Sequence, residues 1–124
     1  MATKIIINPD DTISLEKSHA GSLSAVMAES CAKQVNLLNR EELIAVVWAV
    51  KASPFPLGQG EQVYRNCLKN VKKQEKENPI APNVTLGQIR KSIATRASHG
   101  CNAPNDSYLR IAYDIKSGDP VRGY

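Results

Sequence analysis

Apolar residues recur at intervals of three and four along most of the chain, which is the period of amphipathic helices. The pattern predicts a first helix that starts at Ser22, its N-cap, and runs to about Leu38. Asn39 then begins a second helix, and Glu42, three residues later, completes a capping-box pattern. From Leu43 to Val50 this helix is apolar almost all round, which is typical of the middle of a bundle or of an oligomer interface.

Two further helices follow after connectors that contain proline. The third is predicted over 61–77, and the fourth begins with the capping-box pair Thr85 and Gln88 and continues through Ala97. The third helix has an apolar face and, opposite to it, a cationic face. Its apolar face comprises Val63, Tyr64, Cys67, Leu68 and Val71.

Both ends of the chain carry short β-branched patterns. Residues 4–8 (KIIIN) and 12–16 (TISLE), separated by Pro9-Asp10-Asp11, predict a two-stranded hairpin. The segment 108–115 fits two structures equally well. As a helix it stacks its Tyr and Ile residues on one face, and as a strand it alternates them with polar residues and joins the hairpin.

The expected fold is therefore mainly α: a compact bundle of four to five short helices with a small N-terminal β-hairpin, joined by a C-terminal strand if that last segment is extended. At 124 residues the chain has the length of one domain. We divide it into a hairpin or arm (1–18), a helical core (19–115) and a C-terminal arm (116–124).

The net charge of +4 favours polyanions as partners. The longest apolar run is too short to span a bilayer, and the N-terminus does not resemble a signal peptide. Three cysteines, an odd number, do not indicate a disulfide framework. We therefore expect an intracellular, cytoplasmic protein without a membrane partner, in which Cys31 and Cys67 are free thiols on apolar helical faces.

The strongest functional pattern is the cationic face of the third helix. Cations at helical spacing can contact successive phosphates of RNA or DNA, although such a face can also simply be solvated, and Glu75 and Glu77 partly neutralise this one. The fourth helix adds two neighbouring cations. The predicted phosphate contacts are Arg65, Lys69, Lys72, Lys73, Lys76, Arg90 and Lys91.

Aromatic residues offer less to a nucleic-acid site. Tyr64 belongs to the apolar face of the third helix, whereas Tyr108, Tyr113 and Tyr124 are candidates for exposed positions. None of these three is interleaved with the cations of the third helix, as base stacking along a bound strand would require.

No catalytic site, metal site or cofactor is predicted. His99 and Cys101, considered with His19 and Cys31, lack the second close pair of ligands that zinc sites usually have. The glycine loop 58–60 follows a helix, whereas a dinucleotide-binding loop follows a strand.

We weigh three hypotheses for function. The first is a non-enzymatic nucleic-acid-binding protein that forms a homo-oligomer, since its size, charge and terminal arms resemble those of small viral or phage coat proteins and nucleoproteins. The second is a protein-binding module with an acidic partner, such as a virus-encoded inhibitor of a host complex. The third is a small-ligand binder or an enzyme that uses His99, Cys101 and Asp106 near the Gly58 loop.

Overall fold

In the computed structural model, the described residues are 4–16, 23–53, 58–98 and 103–121, without the side chains of 23–27, 97–98 and 103–106. They form an antiparallel hairpin followed by five helices, which confirms the predicted helical bundle with an N-terminal hairpin. The elements are β1 (Lys4–Ile7), β2 (Ile13–Glu16), α1 (Leu23–Leu37), α2 (Arg40–Ala52), α3 (Gly60–Glu77), α4 (Leu86–Ser98) and α5 (Ala103–Ser117).

Both predicted capping boxes are present and fix where α2 and α4 begin. The backbone N–H of Glu42 donates to Oδ1 of Asn39 (2.9 Å), and the N–H of Asn39 donates to Oε1 of Glu42 (2.8 Å). At α4, the N–H of Gln88 donates to Oγ1 of Thr85 (3.1 Å) while that of Thr85 donates to Oε1 of Gln88 (2.9 Å). Each box satisfies backbone donors that a helix N-terminus leaves free.

The apolar helix α2 lies in the middle of the bundle, where it packs against α3, α4 and α5. Leu43, Ala45, Val46 and Ala49 have no exposed surface. Of the two environments that its sequence predicts, the bundle interior is therefore the one observed. The Oε1 of Glu42, at the start of α2, lies 3.2 Å from the Nζ of Lys116 and so ties this helix to the end of α5.

The ambiguous segment 108–115 is helical and forms most of α5, so the predicted alternative of a C-terminal strand is wrong. Tyr108, Leu109, Ile111 and Ala112 are completely buried, a spacing that a helix places on one broad face and a strand would split between two. This face packs against α1, α2, α3 and α4. Within the described ranges, the sheet consists of β1 and β2 alone, and Tyr108 is not exposed.

The hairpin is held on the helices by side chains that bond to its backbone. Asn36, near the end of α1, accepts a hydrogen bond from the N–H of Ile13 (2.8 Å) and donates to its carbonyl oxygen (3.0 Å). Ile5 and Ile13 are buried beneath the hairpin, and β1 lies against α4. A two-stranded hairpin is marginal by itself, so these contacts account for its stability here.

Gly87 in α4 marks the closest approach of the hairpin to the bundle. A Cβ at this position would lie 2.5 Å from Cγ2 of Ile7 and 2.9 Å from Oδ1 of Asp11. We expect Gly87→Ala to destabilise the protein by about 1–2 kcal/mol, because overpacking outweighs the helix propensity that alanine gains. Urea unfolding measures this, with Ser92→Ala on the exposed side of α4 as the control. A stabilised Gly87→Ala variant would contradict the tight packing of β1 on α4.

Candidate nucleic-acid interface

Five cations lie on the solvent side of α3, opposite its buried residues Tyr64 and Val71. At 100° per residue, Arg65, Lys69, Lys72 and Lys76 fall within an arc of about 60°, and Lys73 borders it. All five are exposed. We call this set (Arg65, Lys69, Lys72, Lys73 and Lys76) the α3 stripe; at a rise of 1.5 Å per residue it is about 16 Å long.

The acidic residues of α3 neutralise the stripe less than the sequence indicates. Glu75 turns towards α2, where its Oε2 lies 3.7 Å from Nε of Arg40 and its Oε1 accepts the N–H of Ile80 (2.9 Å). Only Arg65 of the stripe has an ion pair within the described residues, with Glu61 at 2.8 Å. The four lysines therefore present charge that no ion pair within those ranges offsets.

Lys91, a further predicted contact, lies on a different surface. It is exposed beside a shallow depression between α4 and β1, which Ile7, Thr95 and Arg96 also line. Since α2 packs against both α3 and α4, it separates Lys91 from the α3 stripe.

Arg90, the neighbouring predicted contact, is buried and bonds to the protein's own backbone. Its Nε–H donates to the carbonyl oxygen of Val35 (3.0 Å), and its Nη2 donates to those of Asn36 (3.3 Å) and Leu38 (3.1 Å). Its Nη1 donates to the carbonyl oxygen of Asp11 in the hairpin turn (2.7 Å). The guanidinium thus caps the C-terminal end of α1 and holds the hairpin, and Arg90 has no place in a set of phosphate contacts.

The environment of Arg90 keeps it charged. Desolvation lowers the pKa of its guanidinium, and the carboxylates of Asp11 and Asp10 raise it. A guanidinium stays protonated in proteins even when it is partly desolvated. It therefore gives the carbonyl oxygens charge-assisted hydrogen bonds, which are stronger than neutral ones.

A second arginine, Arg40, holds the connector between α3 and α4 in a similar way. Its guanidinium donates to the carbonyl oxygens of Val84 (2.9 Å) and Ala81 (2.8 Å) and to that of Ile80. No sequence pattern identifies this role of Arg40, because a cation at the start of a helix gives little signal. Arg90 does carry one, because it follows Leu86 by four residues and lies on the apolar face of α4.

The remaining candidates do not assemble a site in the described residues. His19, His99 and Cys101 lie outside those residues, as does Tyr124, and the side chain of Asp106 is not described. No group of three His, Cys, Asp or Glu residues able to hold a metal occurs in the part of the chain that the structure describes. In the glycine loop, Gly58 adopts a φ of 70°, but Gln59 makes no side-chain capping bond at the start of α3.

The described thiols have the character of packed side chains. Cys31 is buried and Cys67 is half-buried. Burial raises the pKa of the Cys67 thiol, which lowers the fraction of the nucleophilic thiolate at neutral pH. Neither residue has the electropositive, accessible setting of a reactive cysteine.

Within the described ranges, no helix combines the length and apolar character needed to cross a lipid bilayer. Comparisons of the chain with known protein families, with curated proteins and with solved structures find no match.

Proposed function

We propose that this protein is a non-enzymatic nucleic-acid-binding protein that contacts the phosphate backbone through the α3 stripe. The observation that carries the proposal is the exposure of all five cations along one side of an 18-residue helix. Glu75, which precedes Lys76 in sequence, pairs with Arg40 and accepts the N–H of Ile80. The stripe therefore has the charge that a phosphate site needs.

The length of the stripe supports the same function. A stripe of about 16 Å is long enough to contact several phosphates of a duplex, which carries one charge about every 1.7 Å along its axis. Tyr64, on α3 itself, and Tyr108 are completely buried, so neither can stack on bases. Binding is therefore expected to depend on charge rather than sequence, for RNA and DNA alike.

Charge reversal of the stripe tests the proposal. We expect Lys69→Glu, Lys72→Glu and Lys73→Glu, combined in one variant, to weaken the binding of duplex DNA on the order of tenfold or more at low salt. Loss of three phosphate contacts also lowers the slope of log K against log salt by about 2–3. Fluorescence anisotropy of labelled duplexes between about 50 and 200 mM salt measures both quantities.

A variant of equal net charge separates the stripe from the overall charge of the protein. Lys4, Lys33 and Arg110 are exposed on β1, α1 and α5, and none has an ion pair within the described residues. Reversing these three charges should leave most of the affinity and of the salt dependence in place. Equal losses in the two triple variants, or no loss in the stripe variant, would contradict a specific role of α3.

The proposal includes self-association on the nucleic acid, as in a small coat protein or nucleoprotein. Size-exclusion chromatography with light scattering, on protein purified without nuclease, should then show large particles with excess absorbance at nucleic-acid wavelengths. The stripe variant should elute free of nucleic acid. A wild-type protein that elutes as a small, nucleic-acid-free species would favour the alternative of a protein-binding module.

A further inference from the structure

An apolar groove runs between α2 and α4, on a surface that the α3 stripe does not use. Its volume is about 320 Å³. The described residues around it are mostly aliphatic, and Val84 keeps 37% of its surface exposed. The main apolar side chains are Ile44, Val47, Trp48, Ile80, Val84 and Ile89.

The two ends of the groove differ. At one end lies the connector before α4. The guanidinium of Arg40, the first residue of α2, donates hydrogen bonds to the carbonyl oxygens of this connector. Both helices start near this connector, and each lines the groove from its first half to its last turn. Their last turns carry Lys51 and Arg96, and these cations line the opposite end. Both are exposed, and neither has an ion pair within the described residues.

We infer that this groove docks an amphipathic helical peptide segment whose apolar side chains fill it and whose carboxylates, at one end of the apolar face, pair with Lys51 and Arg96. From Ile44 to Lys51 the groove is about 10 Å long, two turns of helix, which accommodates apolar side chains spaced by three and four residues. Charge complementarity at a single end fixes the direction in which the segment lies.

The lining favours a peptide over nucleic acid as the occupant. Bases stack on flat aromatic faces, and Trp48 is the only aromatic residue among the described residues of the groove. The remaining apolar side chains are branched aliphatic groups, which pack best against similar side chains. The two cations lie only in the last turns of α2 and α4, whereas a bound strand needs cations repeated along its path, as in the α3 stripe.

Trp48 is the only tryptophan of the chain, so its fluorescence reports on the groove directly. The probe is a synthetic helical peptide with three leucines spaced by three and four residues and two glutamates one turn beyond the last leucine. We expect it to shift the Trp48 emission to shorter wavelengths as the indole loses water. A peptide with lysines in place of the glutamates should bind on the order of tenfold more weakly.

Three variants make the test specific. Lys51→Glu combined with Arg96→Glu should reverse the preference between the two peptides. Val84→Asp, at a position exposed enough to tolerate the change, should lose the shift with both. The α3 stripe variant should keep the full shift of the Trp48 emission. The test of the groove is therefore independent of the test of nucleic-acid binding.

The inference is overturned if neither peptide shifts the emission, or if both bind wild type equally. It is also overturned if single-stranded oligonucleotides, and not the acidic peptide, change the Trp48 emission in a way that depends on Lys51 and Arg96. The groove would then belong to a nucleic-acid site.

Discussion

Replacing Arg90 with Met is expected to lower the free energy of unfolding by about 3–5 kcal/mol, because the change removes charge-assisted hydrogen bonds from buried carbonyl oxygens. Val35 and Leu38, two of the residues whose carbonyls accept them, have no exposed surface, so water cannot replace the guanidinium there without rearrangement. The hairpin turn loses its bond from Nη1 in the same step. Urea unfolding followed by circular dichroism measures the loss, and the midpoint of thermal unfolding should fall by more than about 10 °C.

Two controls distinguish the geometry of Arg90 from its charge. Lys91→Met removes the adjacent, exposed cation and should change stability by less than about 0.5 kcal/mol. Arg90→Lys keeps the charge but loses the planar fork of donors, so it should fall between wild type and Arg90→Met. An Arg90→Met protein as stable as the Lys91→Met protein would show that the four backbone contacts contribute nothing.

Substitutions of Tyr108 are expected to act in opposite directions, depending on which part of the side chain they remove. Tyr108→Ala should cost about 3–5 kcal/mol, because the ring is completely buried between α5 and the other helices. Tyr108→Phe should be neutral or should stabilise the fold by up to about 1 kcal/mol, since the buried hydroxyl has no hydrogen-bond partner among the described residues.

Tyr64 and Tyr113 provide matched comparisons for Tyr108. The Tyr64 hydroxyl is also buried and has no hydrogen-bond partner in the described ranges, so Tyr64→Phe should behave like Tyr108→Phe. Burial, together with the negative charge of Glu42, raises the pKa of the Tyr64 phenol well above its usual value. Tyr113 is half-buried, and Tyr113→Ala should cost clearly less than Tyr108→Ala. A destabilised Tyr108→Phe protein would reveal a hydrogen bond to that hydroxyl in solution.

The sequence predicts the parts of this fold that local chemistry decides. The capping boxes at Asn39 and Thr85 each involve residues three positions apart, and both form as predicted. Local pattern does not decide the secondary structure of segment 108–115, because the spacing of its apolar residues fits both a strand and a helix. Packing decides it, since only a helix buries Tyr108, Leu109, Ile111 and Ala112 against four neighbouring helices.

The predicted site divides in the same way. Features that depend on spacing within one helix could be predicted, and contacts between residues far apart in the chain could not. The α3 stripe belongs to one helix, so helical spacing alone placed its cations opposite Tyr64 and Val71. Arg90 has the same charge, but its partners are 52 to 79 residues away in the chain, and charge alone does not distinguish it from an exposed cation. The groove at Trp48 joins α2 to α4 and depends on a connector that Arg40 orders, which no local pattern indicates.

The bond between Arg90 and the hairpin turn has a consequence for the order in which the chain acquires its structure during synthesis. The turn residue Asp11 leaves the ribosome 79 residues before Arg90, a delay of roughly 4 to 16 s at usual rates of translation. Gly87, against which Ile7 of β1 packs, is synthesised only shortly before Arg90. The hairpin, residues 4–16, therefore cannot complete its contacts until α4 has been synthesised. A nascent chain that stops before α4 should leave this hairpin open to proteases.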